Sequence, residues 1–343
     1  MNNPQLSIVI IGRNEGERLE HCIRSVQTMN NPFQDIEIIY VDSNSTDDSL
    51  ARAQALGAQT LEVHPERPAA AIGRNAGWRA AKAPFILFLD GDTLLHPDFV
   101  KVAWQQLTSD AKIAIVWGHR RERFPQSSIY QRVLDLEWIY PPGISRFCGG
   151  DALMRRQVLE EVDGYNPLLI AGEEPEMCQR IRAKGYVIWH IDQPMTLHDL
   201  AIKHWAQYWK RATRAGHAFA EISNLLRQSS HASIYQETTG EILWQREARK
   251  NLRHATALMS LFLLGIISSV VMSSFIPLGV AILVFVLLSL RTAWKARWKS
   301  DNWITLVLYG LHSQFQHLPI ALGQLSYYYH RWRGKRRRLI EYK

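Results

Sequence analysis

The first 93 residues alternate short apolar runs with helical patterns, and that rhythm limits the fold more than any other feature of the chain. Residues 6–11 (LSIVII), 36–41 (IEIIYV), 60–63 and 85–89 (FILFL) have the length and composition of buried strands. After the first run, Leu19, Cys22, Ile23 and Val26 share one helical face. After the second, SLARAQALG predicts a helix that Gly57 terminates. After the third, residues 65–73 read as a loop and residues 74–81 as a helix. Strands and helices alternating at this spacing predict an α/β fold. Its sheet is mostly parallel, doubly wound and joined by right-handed crossovers.

Such sheets bind ligands beyond the carboxyl ends of their strands. There the first run is followed by Arg13 and Glu15, the second by Asp42, and the fourth by Asp90-Gly91-Asp92. Two carboxylates one residue apart suit a hard divalent cation, Mg²⁺ or Mn²⁺. The bland alternative is a turn containing two aspartates. A nucleotide fits the same rim. Asp42 can accept from a base N–H, Glu15 from ribose hydroxyls, and Arg74 can meet phosphate or base. The competing readings are a helix cap for Asp42 and a surface ion pair for Arg74.

A second acidic cluster is Glu173-Glu174-Pro175-Glu176. Pro175 fits a first helical position, which places Glu174 at the cap of the helix EMCQRIRAKG. The helix N-terminus favours an ionised carboxylate there, and so a base. Further on, Trp205, Trp209, Arg211 and Arg214 recur at helical spacing. They read as a sugar- and phosphate-facing helix, or as a helix docked on the core or the membrane.

Four segments, SIVIIGRNEGE, IIYVDSNSTDDS, GRNAGWRAAKAPFILFLDGDT and GGDALMRRQVLEEVDGYNP, occur in this order and spacing. Together they resemble the family 2 inverting glycosyltransferases of the GT-A fold, over roughly residues 5 to 200. The resemblance implies transfer of a sugar from a nucleotide-sugar donor with inversion at the anomeric carbon. It implies that Ile11, Arg13, Glu15, Asp42, Arg74 and Asp90 surround the donor nucleotide, and that a divalent cation (Mn or Mg) holds the diphosphate. Asp92 is expected as its direct ligand, with Asp90 on the ribose or a metal-bound water and His198 completing the set. Gly150 and Asp151 are expected beneath the donor sugar. The family's Glu-Asp pair corresponds to Glu173 and Glu174. Glu174 is then the acceptor's base, one methylene longer than the family's acid, so that Glu173 competes for the role. Processive members carry Gln-x-x-Arg-Trp. Here Gln207-Tyr208-Trp209-Lys210-Arg211 departs from it, which favours single transfer, with Trp209 stacking on a sugar and Arg211 meeting phosphate.

Residues 255–290 contain no charged side chain. That run exceeds one membrane span of about 20 residues. Pro277, after Ser-Ser-Phe, suggests a turn between two helices at 256–274 and 277–294. A buried hairpin in a soluble protein is the alternative. Arg246, Arg249, Lys250 and Arg253 precede the run, and Arg291, Lys295, Arg297 and Lys299 follow it. A hairpin leaves both basic flanks in the cytoplasm. Residues 303–325 are apolar but interrupted by His312, Gln314, Gln316, His317 and Pro319. They read as an amphipathic helix in the membrane plane, or as a second span if 255–290 forms one long kinked helix.

The expected organisation is a catalytic domain at 1–225, a basic helical linker at 226–254, the hairpin at 255–294, and an amphipathic helix with a basic tail at 295–343. The net charge of +8 is concentrated beside the apolar run, which favours anionic lipid over nucleic acid as a partner. No signal peptide is read at the N-terminus, and three unpaired-looking cysteines suit a reducing compartment. The whole predicts an inner- or plasma-membrane enzyme with a cytoplasmic catalytic domain and a lipid-linked or glycan acceptor, serving envelope or extracellular polysaccharide. Two alternatives are transfer to a polyprenyl phosphate and a non-catalytic membrane scaffold that keeps the nucleotide-binding fold.

Overall fold

The computed structural model describes residues 4–66, 69–228 and 244–334. Much of the expected basic linker (229–243) and the end of the basic tail (335–343) lie outside the described residues. The chain forms two compact units, one of Met1–Arg123 with Trp138–Asp199 and one of Phe124–Glu137 with Leu200–Lys343. The division departs from the expected boundary at 225: the helix beginning at Trp205 and the segment 124–137 group with the C-terminal helices.

The first unit is built on one sheet. Its strands are β1 (Leu6–Gly12), β2 (Ile36–Asp42), β3 (Gln59–Glu62), β4 (Phe85–Asp90), β5 (Thr93–Leu95), β6 (Ile113–Glu122), β7 (Gly143–Ser145), β8 (Ala152–Arg155) and β9 (Val187–His198). The order is β3-β2-β1-β4-β8-β6-β9-β5, with β7 also on β9. The β3-β2-β1-β4 half is parallel, as the crossovers require. Beyond it the sheet becomes mixed, because β8 runs antiparallel to both β4 and β6. Helices α1 (Glu17–Gln27), α2 (Ser49–Ala55), α3 (Ala70–Ala80) and α4 (Phe99–Ser109) connect the strands. Helix cover on both faces explains why β1 and β4 are apolar without alternation. Ile8, Ile10, Leu87, Phe88 and Leu89 are all fully buried. Register aligns the strand ends: Gly12 lies opposite Asp42, and Ile11 opposite Asp90. Short helix α6 (Arg156–Glu161) and helix α7 (Glu173–Ala183) complete this unit.

The second unit is helical. It contains α5 (Ile129–Asp135), α8 (Trp205–Gln228), α9 (Gln245–Val271), α10 (Ile276–Lys295), α11 (Trp303–Phe315) and α12 (His317–Trp332). Helices α9 and α10 are long and apolar enough to cross a membrane. In their most apolar stretches only 11% and 17% of residues are buried. Val270, Phe275 and Ile276 are 74%, 87% and 74% exposed, whereas a soluble core helix would bury such side chains. The expectation of one in-plane helix over 303–325 is corrected. Two helices occupy the region, and α11 ends at Phe315 because Pro319 has no N–H for the Phe315 carbonyl. They pack on other helices of the unit, α11 on α10 and α12 on α8 and α9.

A buried polar chain ties this unit together. Glu137 accepts from Nε2 of His312 at 3.0 Å and from Arg211 at 3.2 Å. With its proton on Nε2, His312 accepts at Nδ1 from the Tyr208 hydroxyl, 2.7 Å away. Burial alone would raise the Glu137 carboxyl, but the hydrogen bond from His312 and the charge of Arg211 outweigh it and bring the pKa down to about 2. A depressed acid stabilises the fold above its unfolded pKa, and that contribution disappears as pH falls through the folded value. A depression of this size corresponds to about 3 kcal/mol at most. Glu137→Gln should therefore lower the melting temperature in detergent at neutral pH. The gap from wild type should close between about pH 5 and pH 2. A gap that stayed constant over this range would rule out the ionised Glu137 as its source.

Candidate active site

The site in the first unit begins at the loops after β1, β2 and β4. Asn14 binds the two nucleotide-side loops together: its N–H donates to Ser45 Oγ at 2.9 Å, and its side-chain oxygen accepts from Thr46 N–H at 2.8 Å. Gly91 N–H donates to the Ile11 carbonyl at 2.8 Å and docks the acidic turn onto β1. Two residues later the chain forms β5, which pairs antiparallel with the end of β9 and sets Thr93 opposite His198. That pairing brings His198 Nε2 to 3.2 Å from Asp92 Oδ1. Ligand atoms of Asp90, Asp92 and His198 all lie within 4.8 Å of one another. Two carboxylates and an imidazole so close form a donor set that fits Mn²⁺ or Mg²⁺, with the imidazole favouring Mn²⁺.

The two aspartates have different surroundings. Asp90 Oδ1 accepts from Arg74 at 2.9 Å and Oδ2 from Arg120 at 3.1 Å. Burial would raise its carboxyl, but the two guanidinium groups outweigh that and hold it below the usual range. Asp92 faces His198 instead. Both oxygens of Asp90 are thus held by guanidinium groups, while Asp92 lies beside the imidazole.

Arg74 joins this centre to the acids of α7. It is 2% exposed and lies 2.7 Å from Glu173 and 3.2 Å from Glu174, besides its bond to Asp90. Helix α7 starts earlier than expected. Gly172 takes a left-handed conformation (φ 78°) and caps it, so Glu173 and Glu174 occupy its first two positions and Pro175 the third. Proline fits there because the first N–H groups of a helix have no partner within it. Glu173 is buried, and its burial beside the like charge of Glu174, only partly offset by Arg74, pushes its pKa up to about 7. The Glu174 side chain keeps 17% exposure against 5% for Glu173.

The structure shows what the other expected site residues touch. Arg74, expected at phosphate or base, is buried and bound by three carboxylates. Asp151, expected beneath the donor sugar, is fully buried; its oxygens accept from Asp90 N–H at 2.9 Å and Thr196 Oγ1 at 2.7 Å, so it orients Asp90. Gly150 packs directly against the Arg74 guanidinium and the Asp90 carboxylate, where a β-carbon would collide. Asp42 is buried and caps no helix: it accepts from the Tyr40 hydroxyl and from Ser45 N–H and Oγ. Ile11 is buried, Arg13 exposed, and Glu15 pairs with Arg18 at 2.9 Å. Trp209 and Arg211 belong to the second unit, where Trp209 packs near Trp205 and Phe315 and Arg211 pairs with Glu137.

The sequence reading missed Arg120 and Trp138. The apolar part of strand β6 ends at Trp117, but the strand runs on to Glu122. Its polar half carries no hydrophobic alternation to reveal it. Pairing with β9 keeps it extended and delivers Arg120 to Asp90. The Arg120 guanidinium also lies over the Trp138 ring at 5.1 Å, and that ring meets His198 edge-on at 5.3 Å.

Residues 7–163 match the family model described as Glycosyl transferase family 2. The chain carries a family 2 glycosyltransferase domain. Among curated relatives, glycosyltransferase AglE of Haloferax volcanii is 23% identical over 53% of this chain and 63% of its own length. Glycosyltransferase GlyG of Streptococcus pneumoniae is 31% identical over 32% of this chain and 38% of its own. The chain thus spans less than two thirds of each. A solved structure of the mannosyltransferase PcManGT from Pyrobaculum calidifontis, in complex with GDP-Man and Mn²⁺, aligns with a TM-score of 0.59 at 16% identity. The alignment covers 95% of this chain and 88% of that one. The family 2 domain has the GT-A fold, a mixed, mostly parallel sheet, and a helical C-terminal region follows it.

Proposed function

We propose that this chain transfers a glycosyl group from a nucleoside-diphosphate sugar to an acceptor hydroxyl, with inversion, at a membrane surface. The observation that carries the reading is the convergence of Asp90, Asp92 and His198 within 4.8 Å, joined through Arg74 to Glu174. A divalent cation held by that triad supplies positive charge against the departing diphosphate. Arg74 and Arg120 keep Asp90 ionised, and Asp151 fixes its backbone. Glu174, the more exposed acid on α7, accepts the proton of the acceptor hydroxyl. The acceptor oxygen bonds to the anomeric carbon as the bond to the diphosphate breaks, the diphosphate leaving with the electron pair. The proton rests on Glu174 until solvent takes it. The exposed apolar surfaces of α9 and α10 support insertion in a bilayer, and with it a lipid-linked acceptor on the cytoplasmic face.

Electron paramagnetic resonance of free Mn²⁺ tests the centre without turnover. Asp92→Asn should weaken Mn²⁺ binding by at least about 100-fold, more than loss of an outer partner does. Asp90→Asn should have a smaller effect. The reverse order would make Asp90 the direct ligand. Thermal shifts with UDP, GDP and CMP sugars in the presence of Mn²⁺ then identify the donor, since a ligand specific to the native state raises its melting temperature. No shift with any of them would remove the donor assignment.

A further inference from the structure

The second unit carries an open cavity of about 260 Å³. Its walls include Tyr130 and Val133 of α5, Tyr208 of α8, Phe285 of α10, and Leu308 and His312 of α11. Every other wall residue is apolar or aromatic. The polar atoms of Tyr208 and His312 are engaged with each other and with Glu137, at 2.7 and 3.0 Å. Nearly all of the surface that faces this space is apolar. A surface of this kind favours hydrocarbon over water. Phe285 sits midway along α10, and Leu283, Leu287 and Leu288 of that helix are 55%, 55% and 40% exposed. The wall is therefore continuous with a helix surface that suits lipid chains and nothing aqueous.

We propose that this cavity is a binding site for one hydrocarbon chain of a bilayer lipid. The site rests on the membrane reading of α9 and α10 and requires no step of the transfer reaction. Its ligand is recognised by shape and by the apolar lining. The polar chain behind the wall keeps the aromatic lining rigid, because Tyr208 cannot turn without giving up His312.

The test uses the full chain in phosphatidylglycerol vesicles doped with a phosphatidylcholine bearing a diazirine midway along one chain. After irradiation, adducts are mapped by mass spectrometry. Wild type should carry adducts on Tyr130, Tyr208 and Leu308, as well as on exposed residues such as Leu264 and Val280. Leu308→Trp and Val133→Phe fill the cavity from two different walls. Each should lose the cavity adducts and keep those on α9 and α10, which also shows that the variant remains inserted. Adducts confined to α9 and α10 in wild type, or cavity adducts that survive both substitutions, would overturn the site and leave the membrane reading standing. Absence of adducts from both places would remove the membrane reading, and the lipid site with it.

Discussion

Glu174→Gln should lower kcat toward a hydroxyl acceptor by about 10²–10⁴-fold, the range expected for loss of a general base. Binding of Mn²⁺ and donor should change little, because the amide keeps the shape of the side chain and Glu174 is no member of the acidic triad. The competing assignment to Glu173 makes a different prediction. Its pKa of about 7 suits a base at neutral pH. Burial on α7 and its bond to Arg74 nevertheless turn it away from an incoming acceptor. If Glu173 were the base, kcat would follow an ionisation near that pH, and Glu173→Gln would carry the loss instead. A Glu174→Gln enzyme with full activity toward a polyprenyl phosphate would point to a nucleophile that is already ionised and needs no base.

Replacement of Arg74 should have the largest effect on stability. Arg74→Met removes a cation within hydrogen-bond reach of Asp90, Glu173 and Glu174 together. Breaking a buried ion pair by deleting one partner costs about 3–5 kcal/mol, since the remaining charge is stranded. Here the remaining carboxylates also repel one another, so part of the cost would be relieved by Glu173 taking up a proton. The variant should therefore recover stability as pH falls from about 7 toward 5, opposite to the behaviour expected from a simple packing defect. Arg74→Lys should rescue only partly, because an ammonium lacks the planar fork that contacts Asp90 and the two glutamates from different nitrogens. Thermal melts in detergent across this pH range decide the matter; a pH-independent deficit would mean that charge is not its source.

Much of the parallel half of the sheet was legible, because β1, β2 and β4 are short, mostly apolar runs, and β1 and β4 are buried almost throughout. The acidic turn and His198 stood out through residue type and the family resemblance, and the structure brings Asp90, Asp92 and His198 together. What was hidden shares one physical cause. Strand β5 has three residues, too few for any periodicity, yet it places His198 beside Asp92. The polar half of β6 owes its extension to pairing with β9, so Arg120 showed no local signal. Arg74 and Asp151 were identified by type and position, but only the packed structure shows that both are buried against Asp90. The grouping of 124–137 with the C-terminal helices depends on contacts far apart in sequence, such as Glu137 with His312, which no local pattern records.

The pairing of Thr93 with His198 also orders events in time. The β3-β2-β1-β4 half can assemble once residue 90 is available, through short crossovers of low contact order. The cation site needs two segments more than 100 residues apart in sequence to meet, and closing so long a loop is entropically late. During synthesis, therefore, the parallel rim can close before Asp92 meets His198. Binding of a cation then reports that β9 has been added to the sheet, and it would latch the last long-range closure of the domain.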